Sequence, residues 1–209
     1  MIWYNRNKLI HEENSLSPLQ VLEKAKNIVE DFKKVYSWDF PSFPSPQCGW
    51  ATPPLGFYKV NVDGASSIDG SGVSGVGVII RDELGFVVAA LCKALPMHHP
   101  AEWTEFLALE QGVLLAKDLN LSKVFFESNA SSVISVVSQV YNEGIMGHLV
   151  QSIQSMKSFF SFCSFFHVKR EYNMAAHELA QFAKCNQTSQ LWKGVIPPSL
   201  LLFFQFGLS

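Results

Sequence analysis

The sequence predicts an α/β fold in which helices pack on a mixed sheet, and three observations carry that reading. Three strand patterns follow one another between residues 57 and 91 with only short turns between them, which makes an antiparallel meander. Beyond residue 100, helical and strand periodicities alternate, an order that lays helices against further strands of a sheet. The chain has 209 residues, 48% of them hydrophobic, 17 of them phenylalanine and only 16% charged. That is enough apolar material for a sizeable core and is not the composition of a disordered chain.

Residues 1–17 are polar and irregular apart from Ile2-Trp3. Ser17-Pro18 opens a helix in which Val21, Ala25, Ile28, Val29 and Phe32 recur at helical spacing through Val35. Asp39 to Pro54 is rich in proline and serine, a linker or surface strap, so the domain boundary falls there. Residues 1–54 are then an N-terminal helical segment with its linker, and residues 55–209 the main domain with a C-terminal tail.

The main domain opens on Phe57-Tyr58-Lys59-Val60-Asn61-Val62-Asp63-Gly64-Ala65. As a strand it places Tyr58, Val60 and Val62 on one face and Lys59, Asn61 and Asp63 on the other. Gly64 is expected to let the chain leave the strand straight after the carboxylate. The same pattern would suit an amphipathic strand with a solvated polar face. A Gly/Ser-rich turn over 66–74 follows, then strands at Val76–Arg81 and Phe86–Leu91 joined by a tight turn. Helices are predicted at Ala101–Lys117, Ser131–Tyr141, Ile145–Lys157 and Asn173–Lys184, with strands at Lys123–Glu127 and Phe159–Val168. The order is β-β-β-α-β-α-α-β-α, and the aromatic stretch from Trp192 is a tail strapped over the core.

Charge and cysteine content narrow the function classes. A formal net charge of -2 supplies no global basic field, so any nucleic-acid binding must rest on a local patch. Cys48, Cys92, Cys163 and Cys185 are scattered without a Cys-x-x-Cys pair, which speaks against zinc and against a disulfide framework. The first ten residues lack the apolar run of a signal peptide, and Phe159–Val168 and Ile196–Phe206 are too short to span a bilayer. An intracellular protein of cytoplasm or nucleus with no membrane partner is the expectation.

Several motifs compete for a chemical role. Gly70-Ser71-Gly72-Val73-Ser74-Gly75 fits G-x-G-x-x-G, but a dinucleotide fingerprint needs a helix next and Val76–Ile80 continues as strand, so it reads as a hairpin loop. His98-His99 lies on a loop where adjacent histidines rarely point together. Glu102 and Glu105 are both ordinary partners for a helix N-terminus. Glu105, however, shares its stripe with Ala108 and Gly112, small residues that let a helix approach a sheet closely and bring Glu105 beside Asp63. Asn129, after Phe125-Phe126-Glu127-Ser128, is a good helix N-cap. Asn173, Ala176, His177 and Ala180 share one stripe of the last helix, downstream of Arg170.

Taken together these pieces resemble a type 1 ribonuclease H domain of the plant, retrotransposon-related kind. The resemblance rests on Lys59-x-Asn61-x-Asp63-Gly64-Ala65, Gly77-x-x-x-Arg81-Asp82-x-x-Gly85 and Glu105-x-x-Ala108-Leu109-x-x-Gly112. It continues through Glu127-Ser128-Asn129 and Arg170-x-x-Asn173-x-x-Ala176-His177-x-Leu179-Ala180, and it covers about residue 55 to the C-terminus. Ile2-Trp3-x-x-Arg6-Asn7 resembles the stretch preceding this domain in such elements, which makes residues 1–54 the expected remnant of a longer one.

The resemblance implies a five-stranded mixed sheet, three strands antiparallel and then two parallel, flanked by helices. It also implies metal-dependent hydrolysis of RNA in RNA–DNA hybrids, with four acids holding two Mg²⁺. Carried over residue by residue, Asp63 matches the first acid and Glu105 the second, while Asn129 and His177 stand at the third and fourth positions. Metal would fall to Asp63, Glu105 and Asn129, and nucleic acid, a hybrid or RNA, to Lys59, Asn61, Lys169, Arg170 and Asn173. Two carboxylates in place of four leave the repulsion between two Mg²⁺ poorly offset, and imidazole suits softer metals. Weakened metal occupancy and much reduced cleavage are therefore expected. The alternative is an interaction or remnant domain with no nuclease role.

Overall fold

A computed structural model describes residues 50–67, 69–138, 146–201 and residue 204 of the main unit, and residues 17, 19, 20, 23, 24, 26 and 27 of the N-terminal one. The chain divides into two compact units, residues 1–47 and 48–209. In the first, Leu19-Gln20, Glu23-Lys24 and Lys26-Asn27 are helical. The rest of the expected 18–35 helix, and the linker as far as residue 49, lie outside the described residues.

The main unit is a mixed sheet with helices on both faces. Its strands are β1 (Tyr58–Ala65), β2 (Gly75–Arg81), β3 (Val87–Ala94), β4 (Lys123–Ser128), β5 (Phe162–His167) and β6 (Gln190–Lys193). They lie in the order β5-β4-β1-β2-β3-β6. The first three strands form the antiparallel meander, β4 and β5 add in parallel on the other side of β1, and β6 closes the far edge against β3. The helices are α1 (Ala101–Asp118), α2 (Ser131–Ser138), α3 (Gly147–Met156) and α4 (Met174–Asn186). The order read from periodicity is thus the observed one, with β6 added. Four residues at a sheet edge, reached through Gln187 in the left-handed conformation (φ 50°), are too short for an alternating pattern to declare itself.

Some boundaries differ from expectation. β5 begins at Phe162 because Lys157–Phe159 forms a 3₁₀ turn that extends α3. The expected ends of α2 at Tyr141 and of α3 at Ile145 fall outside the described residues. Gly64 also has a different task from the one expected. The chain does not leave the strand there, since Gly64 pairs with Val76 and β1 runs on to Ala65.

Close packing of helix on sheet explains the glycines. A Cβ on Gly64 would sit 2.7 Å from the backbone carbon of Thr104 and 2.8 Å from the backbone nitrogen of Glu105. Gly112 does the same further along α1, where a Cβ would meet Val62 Cγ1 at 2.5 Å. On the opposite face a Cβ on Gly77 would collide with the Ala176 carbonyl of α4. Two apolar cores result. One lies between the sheet and α1–α3, around Val60, Val62, Phe106, Leu109 and Ile153, and the other lies under α4, around Ile79, Ala90, Ala176 and Leu179.

Because backbone atoms cannot give way like a side-chain tip, Gly64→Ala should cost about 1–3 kcal/mol, a fall of several degrees in Tm. Thermal unfolding of the variant measures it, and an unchanged Tm would mean that α1 is free to stand off from β1.

Candidate functional site

The site forms at one end of β1, where the two faces of the sheet meet. The parallel rungs between β1 and β4 run from Tyr58↔Val124 to Asn61↔Glu127. Past that rung β1 continues to Asp63 while β4 turns through Asn129 into α2. Extending the register sets Asp63 and Asn129 side by side on one face of the sheet.

Asp63 is 2% exposed, so its carboxylate needs partners, and it has one from each layer. From α4, His177 Nδ1 lies 2.6 Å from Asp63 Oδ2. Arg170 Nη2 stands 3.1 Å from His177 Nε2. A guanidinium can only donate, so Nε2 accepts and the ring proton sits on Nδ1, donated to Asp63. Both ring nitrogens of His177 are therefore committed. From α1, Glu105 makes a side-chain hydrogen bond with Asp63, and its Oε2 accepts the Gly64 backbone N–H at 3.2 Å. Burial, and then the Asp63 charge beside it, push the Glu105 carboxyl up to about 8, while Arg170 pulls modestly the other way. Glu105 therefore keeps its proton further up the pH scale than a free carboxyl does.

Beneath this cluster lies a buried polar network that ties β1, β2, β4 and α4 together. Arg81, 1% exposed, stacks its guanidinium 3.4 Å from the centre of the Trp50 ring and donates from Nη2 to Asn61 Oδ1 at 3.1 Å. Asn61 Nδ2 then donates to Glu127 Oε2 at 3.0 Å and to Asn173 Oδ1 at 3.3 Å. Asn173 Nδ2 in turn donates to the Val62 carbonyl at 2.8 Å and to Asn129 Oδ1 at 2.7 Å. Glu127 Oε1 holds Lys59 Nζ at 2.9 Å.

All four positions expected to carry the site, Asp63, Glu105, Asn129 and His177, are thus joined to one another directly or through Asn173 and β1. The residues expected at a nucleic-acid surface divide. Arg170 and Lys169 are exposed, with Lys169 Nζ 3.9 Å from Glu171. Asn61 and Asn173 are instead fully buried and spend their donors internally, and Lys59 is committed to Glu127. These three make contacts within the domain that hold the site together. Arg81 and Glu127, not expected among the site residues, complete the network. Arg81 shares the strand parity of Gly77 and Ile79, and a lone arginine within a wholly buried strand was the signal available for it.

The family follows from the sequence that builds this arrangement. The profile of reverse transcriptase-like proteins matches residues 61–183, from the Asn61 strand through α4. The chain belongs to the reverse transcriptase-like family. No curated protein matches it. Among solved structures, RNase H1 from the halophilic archaeon Halobacterium salinarum is similar at 19% identity and a TM-score of 0.57, covering 63% of this chain and 99% of that one. The N-terminal RNase H domain of a Mycobacterium tuberculosis protein is similar at 20% and 0.57, covering 62% and 94%. LC11-RNase H1, isolated from compost by a metagenomic approach and solved with an RNA/DNA hybrid, is similar at 22% and 0.55, covering 62% and 98%. At these identities the likeness establishes an RNase H-like fold for this reverse transcriptase-like domain.

The donor set of the domain does not fit a two-Mg²⁺ centre. Only two carboxylates are present at the four positions, Asp63 and Glu105, and both nitrogens of His177 are taken. Among the described residues no three His, Cys, Asp or Glu side chains are placed to hold a metal ion. Among the described residues, also, no helix is long and apolar enough to cross a membrane.

The Glu105 shift makes stability depend on pH. Its carboxyl is raised in the folded state, so between about 4.5 and about 8 the folded chain holds a proton that the unfolded chain has lost, and stability falls as pH rises through that window. Glu105→Gln keeps an oxygen for Gly64 and offers an amide N–H to Asp63 without this cost. The variant should therefore gain several degrees of Tm over the parent at pH 8 and little at pH 4.5. A gain that is the same at both pH values would show that Glu105 is not the buried proton holder.

Proposed function

We propose that this domain is a nucleic-acid-binding ribonuclease H-like protein whose ancestral chemistry, cleavage of RNA in an RNA–DNA hybrid, is strongly weakened. The observation that carries the reading is the meeting of Asp63, Glu105 and His177 at the end of β1, with Asn129 beside them just past the end of β4. Burial and the neighbouring Asp63 charge both work against ionisation of Glu105 there. A site kept for function is where such a cost is tolerated. The type 1, plant retrotransposon-related lineage is supported by histidine at the fourth position, a frequent variant of that group. Exposed Arg170 and Lys169 supply a local positive edge for a phosphate backbone despite the overall charge of -2. Similar folds are solved with RNA/DNA hybrid bound, among them LC11-RNase H1 and the foamy viral protease-reverse transcriptase.

Mg²⁺, if bound, would be held by Asp63 and Glu105 alone and would supply Lewis-acid activation of water, but the residues do not balance two such ions. The chain's own contribution is positional. Arg170 and His177 fix the Asp63 carboxylate, and Gly64 fixes Glu105. The alternative reading, a domain that keeps the fold without binding nucleic acid, differs in one measurable respect.

A labelled RNA–DNA hybrid should bind at low salt with an affinity that falls steeply as salt rises. It should be cleaved in Mg²⁺ or Mn²⁺ at least about 100-fold more slowly than by a four-acid relative. Asn129→Asp should raise the cleavage rate. Absence of binding at low salt would favour the alternative, and cleavage near the four-acid rate would overturn the weakened centre.

A further inference from the structure

We infer that Asn129 is a hydrogen-bond donor to an anionic oxygen, the phosphodiester of a bound strand, and not a metal ligand. The inference rests on the nucleic-acid reading above and specifies how that site takes its ligand.

The orientations of the three amides are forced. Arg81 has donors only, so the atom of Asn61 that meets it must be Oδ1. Asn61 Nδ2 is then the atom facing Glu127 Oε2, an acceptor, and facing Asn173, which must meet it with Oδ1. Asn173 Nδ2 therefore points the other way, toward the Val62 carbonyl and Asn129. The Val62 carbonyl can only accept, so it fixes the orientation of Asn173 independently of the Arg81 end. Both protons of Asn173 Nδ2 are now assigned, and the atom of Asn129 lying 2.7 Å away must be the oxygen. The remaining polar atom of the Asn129 side chain is Nδ2, for which no partner is found among the described residues. Asn129 is half-buried, beside Asp63 in the extended register.

An aspartate in this place would satisfy Asn173 with one oxygen and keep the second for a cation. Asparagine satisfies Asn173 equally well and presents two N–H donors in place of that oxygen. One atom changes, and the polarity of what the position can hold is inverted. An amide nitrogen does not ligate Mg²⁺, whereas N–H donors to phosphate oxygen are a standard backbone contact in nucleic-acid complexes. The group recognised is a phosphate oxygen, from a phosphodiester or from free phosphate.

The test is made on the full chain in EDTA at pH 8. The Asn129 side-chain amide resonances, assigned by their loss in Asn129→Asp, are followed during titration with inorganic phosphate and, separately, with an RNA–DNA hybrid. Saturable movement of the Asn129 NH₂ pair with phosphate, while that of Asn173 stays still, is expected. Hybrid affinity without metal should fall about tenfold in Asn129→Ala and further in Asn129→Asp, where a carboxylate meets the phosphate. If Mg²⁺ moves the pair in a parallel titration without EDTA and phosphate does not, or if Asn129→Asp binds hybrid in EDTA as tightly as the parent, the donor role is wrong. Hybrid binding with Asn129 unmoved sinks this inference and spares the proposed function. Movement with phosphate but no hybrid binding does the reverse.

Discussion

A single buried amide, that of Asn61, is the constraint on which the rest of the structure depends. It lies in the central strand at 0% exposure, and its three contacts reach β2 through Arg81, β4 through Glu127 and the start of α4 through Asn173. A buried polar group is costly unless every donor and acceptor is met, so this residue tolerates only the arrangement in which those elements converge. The convergence sets Asp63, two residues further along β1, between α1 and α4. Shape alone could pack the helices in neighbouring registers. The hydrogen-bond pattern selects one.

The network carries charge as well as direction. Arg81 is buried beyond the reach of water, and its desolvation lowers the guanidinium to about 10, partly offset by the Glu127 charge. Lys59 pairs with the same carboxylate, so one anion serves two cations, and the Trp50 face takes up part of the excess. Buried ions of this kind contribute little net stability, but removing one partner leaves the others uncompensated. The arrangement is accordingly intolerant of partial loss, which suits a role in fixing geometry. The same logic runs outward, where Arg170 sets the tautomer of His177 and His177 holds Asp63.

Much of this was legible in the residues. Alternation in Phe57–Ala65 separated the Val60/Val62 face from the Asn61/Asp63 face, and the small-residue stripe of Glu105, Ala108 and Gly112 placed Glu105 against Asp63. Periodicity reports which face a side chain occupies and not what covers that face. Lys59, Asn61 and Asn173 were therefore expected at a nucleic-acid surface, whereas Arg81, Glu127 and each other are what they meet. Gly64 was legible as special but not for the right reason, because the helix backbone it admits comes from residues 104 and 105, about forty positions away. The edge strand Gln190–Lys193 has too few residues to register as a pattern.

A double-mutant cycle on Asn61 and Asn173 bears most directly on this account. Asn61→Ala, Asn173→Ala and the double variant are compared by denaturant unfolding of the full chain. Because the two amides share one directional chain, the double variant should lose less than the sum of the single losses, with a coupling of about 1–3 kcal/mol. Losses that add within about 0.5 kcal/mol would show two independent buried amides, and the claim that one network orders the site would not stand.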